Sequence, residues 1–305
     1  MTPEPVTRRS KLMVAALGIM WGLNWPAARM ALMDYSPWMF RTIALWTGAA
    51  ALLAIAAARG HSPWVARPRD RAHLIIAGLL NLAGFNLFSS FGQLGTTTTR
   101  VAIIAYTMPI WVTVLAWLVL GERLAPNARI ALLLGTLGLA AMVVPFLGGT
   151  IPLGMWFALG AALSWAAGTV YVKWAAVPGD AFVNAGWQLA AGGIAAIVGL
   201  AFFGGTPRLL PEHWQAGAGL AYNVIFGTAL AYVVWFEVVA RLPAATAALG
   251  VLMVPVVGVT SAMLLVGDRP SWFDFAGFAL VLSAAGIVLL PNQARATSAR
   301  LGSPR

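Results

Sequence analysis

Ten apolar stretches, each long enough to cross a bilayer, succeed one another down the chain, and no other feature constrains the fold as tightly. They cover residues 12–33, 37–58, 73–94, 101–120, 128–147, 153–174, 181–203, 217–239, 246–266 and 272–290. Each is closed by something polar or helix-breaking, such as Arg67-Pro68-Arg69-Asp70-Arg71 or Gly121-Glu122-Arg123. A hydrocarbon core about 30 Å thick needs about 20 residues per helical crossing, so ten crossings use ~200 residues. The remainder of a 305-residue chain suffices for tails and nine connections, with no extramembrane domain. Composition agrees: the chain is 60% hydrophobic and 9% charged, whereas soluble domains run near 25% charged. The expected class is an all-α integral membrane protein with ten transmembrane helices.

Arg8-Arg9-Ser10-Lys11 ahead of the first span resembles the basic start of a secretion signal. The span behind it is too long for a signal core and carries Trp21, Asn24, Trp25 and Pro26, so it is read as a retained crossing. Lys and Arg gather on the cytoplasmic side of membrane proteins. With the N-terminus inside, the inner face collects 14 basic residues and the outer face 5, namely Arg29, Arg41, Arg100, Arg208 and Arg269. That split predicts both termini in the cytoplasm (N-in/C-in). It also assigns the net charge of +10 to lipid headgroups rather than to nucleic acid.

A shift of 146 aligns two blocks without a gap. Pro109 meets Pro255, Gly121-Glu122-Arg123 meets Gly267-Asp268-Arg269, and Pro145 meets Pro291. Residues 96–145 and 242–291 share 8 identities in 50, and the shared prolines and glycine keep the same spacings of 12 and 24. A shift of 144 brings Trp21 onto Trp165 and Arg29 onto Lys173. The chain therefore divides into two five-helix repeats, 1–148 and 149–305. Because five is odd, the second enters the membrane inverted. Inverted repeats are the architecture of alternating-access carriers, whose substrate site lies near the midplane between the halves.

Trp21-Gly22-Leu23-Asn24-Trp25-Pro26, the stretch from Pro109 to Leu120-Gly121-Glu122-Arg123, and its second copy from Pro255 to Val266-Gly267-Asp268 resemble the drug/metabolite transporter superfamily. The likeness is to its ten-helix EamA-type members, and it covers almost the whole chain. Size and aromatic-rich spans are similar to bacterial amino-acid exporters of the YddG type. The resemblance implies a carrier in the bacterial inner membrane that moves amino acids or related metabolites outward. Asp268 in place of Glu, and Trp25-Pro26 in place of small apolar residues, depart from the pattern.

Polar side chains in a spanning helix usually face the bundle interior or a wet cavity. Helical spacing groups Trp21, Asn24, Trp25 and Ala28 on one stripe, and Asn86, Ser89 or Ser90, and Gln93 on another. Further stripes join Tyr106, Ile110, Thr113 and Trp117, then Ser164, Trp165, Gly168 and Tyr171, then Thr228, Tyr232 and Trp235. Trp21, Asn24, Trp25, Asn86, Gln93, Tyr106, Trp165 and Tyr171 are the candidate substrate contacts. The amides would take an amino and a carboxylate group, and the rings an apolar side chain or a cation. Ser89, Thr113 and Thr228 have a plainer alternative in bonds to their own helix backbone. Pro26, Pro109 and Pro255 sit inside spans, where each removes a donor and frees a carbonyl, and they are the candidate hinges.

Other classes find little support. With no cysteine, disulfides, Cys-ligated metals and thiol catalysis are out. No G-x-x-x-x-G-K-[ST] run offers direct ATP drive. His61, His73 and His213 lie in loops or at a helix end without a carboxylate cluster, so a membrane-embedded enzyme is disfavoured and no cofactor is expected. No Asp or Glu falls deep in a span, which predicts facilitated diffusion or weak proton coupling. An exporter of other small metabolites or drugs remains the main alternative.

Overall fold

A computed structural model describes residues 8–122, 126–204, 210–241 and 244–289, and all their regular elements are helical. The rods are α1 (Arg8–Ala31), α2 (Pro37–Ala58), α3 (Pro68–Gly95), α4 (Thr98–Leu120) and α5 (Pro126–Phe146). They continue as α6 (Leu153–Ala175), α7 (Ala181–Phe203), α8 (Trp214–Val238), α9 (Ala244–Leu265) and α10 (Trp272–Leu289). Seven of them, α2 to α8, are long and apolar enough to cross a membrane, and Leu252–Leu265 and Trp272–Ile287 form shorter apolar helices. Arg123, Arg208, Leu242, Leu290, Pro291, Arg295, Arg300 and Arg305 lie outside the described residues, as do the side chains of Arg8, Arg9, Lys11 and Arg241.

Helix ends reflect local chemistry. Ser36, Thr97 and Asp180 cap α2, α4 and α7, their side-chain oxygens accepting from the N–H groups of Met39, Arg100 and Phe182 with Val183. The repeated Gly-acid pair is a stop signal. Gly121 and Gly267 both adopt positive φ (68° and 74°), and the next N–H, of Glu122 or Asp268, turns back to Ala116 or Ala262. Helix α3 starts at Pro68, five residues before the apolar stretch. Pro68 suits a first helical position and Asp70 its first turn, while the charged Arg69 and Arg71 hide that turn from a hydropathy reading.

Three rods depart from regularity. Helix α3 opens into wide π-turns at Leu79–Gly84 and α8 does so at Asn223–Leu230, two starts separated by the same 144 residues as the Trp21/Trp165 correspondence. Helix α4 is interrupted between Ala105 and Met108, just ahead of Pro109, which cannot donate to the preceding turn. The hinge candidates thus differ: Pro109 opens a new helical segment, whereas Pro26 and Pro255 sit within unbroken helices.

Packing pairs α1 with α9 and α4 with α6; α3 with α6 and α1 with α8; α2 with α7; and α5 with α10. Replacing each helix by the one five positions along the chain carries this set onto itself. Close approach depends on small residues. A Cβ on Gly154 would lie 2.5–2.6 Å from the backbones of Gly92, Gly95 and Thr96, and Gly138 and Gly277 bring α5 against α10 within the chain. Large apolar side chains such as Leu133, Ile194, Val198 and Leu264 remain on the outside, as lipid requires.

Junctions contact one another in two sets. Asp34 before α2 meets His213 before α8; Gly95 meets Gly154; and Thr99 and Arg100 meet Asp268 and Asp274. At the opposite ends Arg59 meets Glu237, His61 meets Asp180, and Glu122 meets Lys173. Odd junctions thus join odd and even join even, as successive antiparallel rods demand. Asp268 bonds across to α4 rather than to adjacent Arg269. It accepts the Thr99 N–H at 2.6 Å and so fixes the start of α4.

The Asp34–His213 link is titratable. His213 Nδ1 lies 2.8 Å from Asp34 Oδ1 and its N–H donates to Asp34 Oδ2 at 2.7 Å. The ring contact with Asp34, with lesser help from Glu212, raises His213 above 6.5, while the His213 main-chain N–H and ring hold Asp34 below 3.8. A raised histidine contributes stability below its unfolded value and loses it as pH rises through the folded one; a lowered aspartate contributes above 3.8 and loses it in acid. The melting temperature of the detergent-solubilised protein is therefore expected to fall as pH rises from about 6 to about 9. Asp34→Asn should flatten that slope; an unchanged slope would dismiss the link.

Candidate functional site

A cavity of about 500 Å³ lies between α1, α2, α3, α4, α6 and α8, with Val254 of α9 at its edge. Helix α1 supplies Trp21, Asn24, Trp25 and Ala28, the whole predicted stripe. From α3 come Asn86, Ser89 and Gln93; from α4 Tyr106, Pro109 and Thr113; from α6 Trp165 and Thr169. Helix α8 contributes Asn223, Thr228, Tyr232 and Trp235. The π-turns and the α4 interruption each supply lining residues to this space, among them Leu82, Asn223, Thr228, Tyr106 and Pro109.

Rings form two walls. Trp25 meets Phe85 edge-on at 6.4 Å and Tyr106 at 6.1 Å, and Phe85 meets Trp165 at 5.0 Å. In the second group Trp21 packs on Trp235 at 5.6 Å and on Tyr232 at 6.5 Å. Such contacts pre-position flat apolar surface at little entropic cost. Amides complete the lining. Asn223 Nδ2 donates to Asn24 Oδ1 across α8 and α1 (2.6 Å), and Asn86 Nδ2 donates to its own helix at the Leu82 carbonyl (2.8 Å). Ser89 and Thr113 bond their own backbone, at Asn86 and Pro109, and still border the cavity. No Asp or Glu is among the lining residues.

Seven of the eight predicted contacts therefore converge, and Tyr171 does not. Its hydroxyl meets His73 Nδ1 at 2.8 Å and its ring packs on Trp174 at 5.6 Å. The α6 stripe merges two faces about 100° apart. Ser164, Gly168 and Tyr171 face α3, where Ser164 Oγ donates to the Leu80 carbonyl and Gly168 touches Asn81, while Trp165 and Thr169 face the cavity. Trp117 and Ile110 likewise stay outside the lining, and Trp111 turns its Nε1 to Thr107 Oγ1 at 3.0 Å.

Asn223 and Arg41 are among the members that escape a sequence reading. Asn223 stands inside the eighth apolar run without a polar residue three or four positions away. Charge counting places Arg41 on the outer face, but it is 4% exposed and borders the cavity. Its depth in an apolar span is the available signal, because an arginine there is retained for a partner or a ligand.

A second cavity of about 190 Å³ shares Val112, Thr113 and Thr169 with the first. It lies between α4 and α6 and is also lined by Glu122 and Lys173, which pair with one another.

Known proteins share this sequence pattern. The model of the EamA-like transporter family matches residues 9–144 and again residues 152–290. The uncharacterized transporter YvbV of Bacillus subtilis (strain 168) is 28% identical over 295 residues, covering 95% of each chain. A protein of Escherichia coli (strain K12) named a probable amino-acid metabolite efflux pump is 24% identical, covering 91% of this chain and 94% of its own. A solved crystal structure superposes with a TM-score of 0.61 at 22% identity, covering 95% of this chain and 99% of that one, a likeness of fold.

Proposed function

The chain belongs to the EamA-like transporter family, and on that footing we propose that it is a secondary carrier exporting amino acids, aromatic and hydrophobic ones included, by alternating access. The single observation carrying the substrate class is the cavity itself. It combines two aromatic walls with amide groups from Asn24, Asn86, Gln93 and Asn223, and it has no acidic lining residue. Aromatic faces suit an apolar side chain, and amides offer both donors and acceptors to a zwitterionic head. The efflux-pump name of the Escherichia coli relative agrees with that reading.

The architecture of this proposal is ten crossings in two inverted five-helix halves, 1–148 and 149–305, with both termini in the cytoplasm of a bacterial cell and the chain in its inner membrane. Support comes from the two separate family matches, the packing set that maps onto itself five helices along, and the recurring π-turns and glycine caps. Rocking of one half against the other would expose the cavity alternately to each side. The α4 interruption at Pro109 is the natural place for that helix to flex, with Pro255 and Pro26 secondary. Without a lining carboxylate to relay protons, movement follows the substrate gradient.

Purified protein in liposomes loaded with labelled aromatic, aliphatic and charged amino acids tests this directly. Flux of unaltered aromatic and aliphatic amino acids, saturable and at least about tenfold above empty liposomes, is expected. Chemical conversion of the label would point to an enzyme instead, and absence of flux for every amino acid would remove the substrate class. A steep dependence on a proton gradient, abolished by Glu237→Gln, would overturn the uncoupled mechanism.

A further inference from the structure

Arg41 is a buried guanidinium with little to bind. Its Nε donates to Ser90 Oγ at 2.7 Å and its Cζ sits 4.2 Å from the centroid of the Phe40 ring. Among the described residues no carboxylate lies within ion-pair distance of it. Arg100 provides the contrast, meeting Asp274 through both Nε and Nη2, at 2.7 and 3.1 Å. An uncompensated buried charge is costly, and four further guanidinium N–H groups of Arg41 remain in a fixed fork suited to a carboxylate.

The neighbouring helix presents the opposite deficit. Gln93, 1% exposed, borders the same cavity, and its Oε1 is a buried acceptor without a donor. It stands one helical turn from Ser90, which holds Arg41. Arg29 donates to the Gln93 main-chain carbonyl and so helps hold that residue in place.

We propose that Arg41 and Gln93 form the head-group subsite of the carrier, Arg41 taking the substrate's carboxylate and Gln93 Oε1 its ammonium. The remainder of the substrate then extends toward Trp25, Phe85 and Trp165. A lone fork of donors beside an orphan acceptor matches a group bearing an anion and an N–H donor on adjacent atoms, which is an α-amino acid. The same pattern disfavours amines and amino-acid amides, because their cationic head would face Arg41 without an acid to neutralise it.

This assignment rests on the carrier reading for its substrate, and two readouts separate the fates of the two. Binding is read first, as quenching of tryptophan fluorescence in detergent by phenylalanine, its amide and 3-phenylpropanoate, since Trp21, Trp25, Trp165 and Trp235 line the site. The wild-type protein is expected to bind phenylalanine at least about tenfold tighter than either analogue. Arg41→Gln should abolish the preference over the amide and Gln93→Leu the preference over 3-phenylpropanoate, while Arg41→Lys should restore part of the first. Equal binding of all three ligands by the wild type would overturn the subsite, as would unchanged preferences in folded Arg41→Gln and Gln93→Leu proteins. If Arg41→Gln does not fold, Arg41→Lys and Gln93→Leu carry the test alone. Flux into liposomes is read second. Arg41-dependent binding with no flux of any amino acid would leave the subsite standing and remove the exporter.

Discussion

Bridging cysteines at Glu122→Cys and Lys173→Cys with a short bis-maleimide is expected to reduce transport by at least about tenfold, because it locks the two ends that must part in each cycle. These residues line the second cavity, between α4 and α6. Both side chains are well exposed, at 46% and 63%, so the natural pair contributes only about 0–1 kcal/mol and can open readily. The repeat says what replaces it. Lys173 corresponds to Arg29 at an offset of 144, and Glu122 to Asp268 at 146. In the structure those two counterparts are apart in their bonding, with Asp268 on the Thr99 N–H and Arg29 on the Gln93 carbonyl. If the halves exchange conformations, opening of Glu122–Lys173 should bring Arg29 to Asp268. A second bridge between Arg29→Cys and Asp268→Cys should therefore be refused by protein already bridged at 122 and 173. The natural chain contains no cysteine, so engineered thiols have no competitors. Formation of both bridges in one molecule would refute the exchange.

Asp274→Asn should cost about 3–5 kcal/mol of stability, the largest loss expected from a single polar substitution here. The Asp274 side chain is 2% exposed and accepts from Arg100 Nε and Nη2 and from the N–H and hydroxyl of Ser271. It also lies in the first turn of α10, where a negative charge is favoured by the helix dipole. Neutralising it leaves Arg100 largely buried without its counter-charge and frees α4 from α10. Unfolding by denaturing detergent, monitored by circular dichroism, measures the loss. Arg100→Met with Asp274→Leu should recover most of it, because replacing both partners by apolar groups removes the buried charge altogether. A midpoint unmoved by Asp274→Asn would show that the pair is not what joins these helices.

Sequence discloses whatever each helix decides alone. The limits of α2 and α7 come from apolar length and from the capping Ser36 and Asp180 beside them, those of α6 from apolar length, and the paired glycine caps come from the Gly-acid repeat. The α1 stripe is legible because Trp21, Asn24, Trp25 and Ala28 share one face that has polar and aromatic content together. Cavity membership elsewhere depends on which neighbour a face meets. Trp111 and Trp165 occupy similar mid-span positions, yet one bonds Thr107 and the other meets Phe85. Periodicity misplaces Tyr171 because α3 covers one half of the α6 polar arc, a fact of packing. Charge counting assigns Arg41 to a side of the membrane but says nothing of its burial or its bond to Ser90, which depend on how α2 packs against α3.

The wide turns at Leu79–Gly84 and Asn223–Leu230 set the rotational phase of the helical segments beyond them. A residue added to a helix without lengthening its hydrogen-bonded ladder turns every later side chain by about 100°. Asn86, Ser89 and Gln93 all lie downstream of the first such segment, and Tyr232 and Trp235 downstream of the second. An ordinary α-helix through either segment would keep the length and hydropathy of the rod but rotate its polar arc toward lipid or a neighbouring helix. Polar chemistry in this cavity is therefore addressed by counting as much as by composition. A one-residue deletion there would do what no single substitution can, misdirecting an entire face while leaving every side chain on it intact.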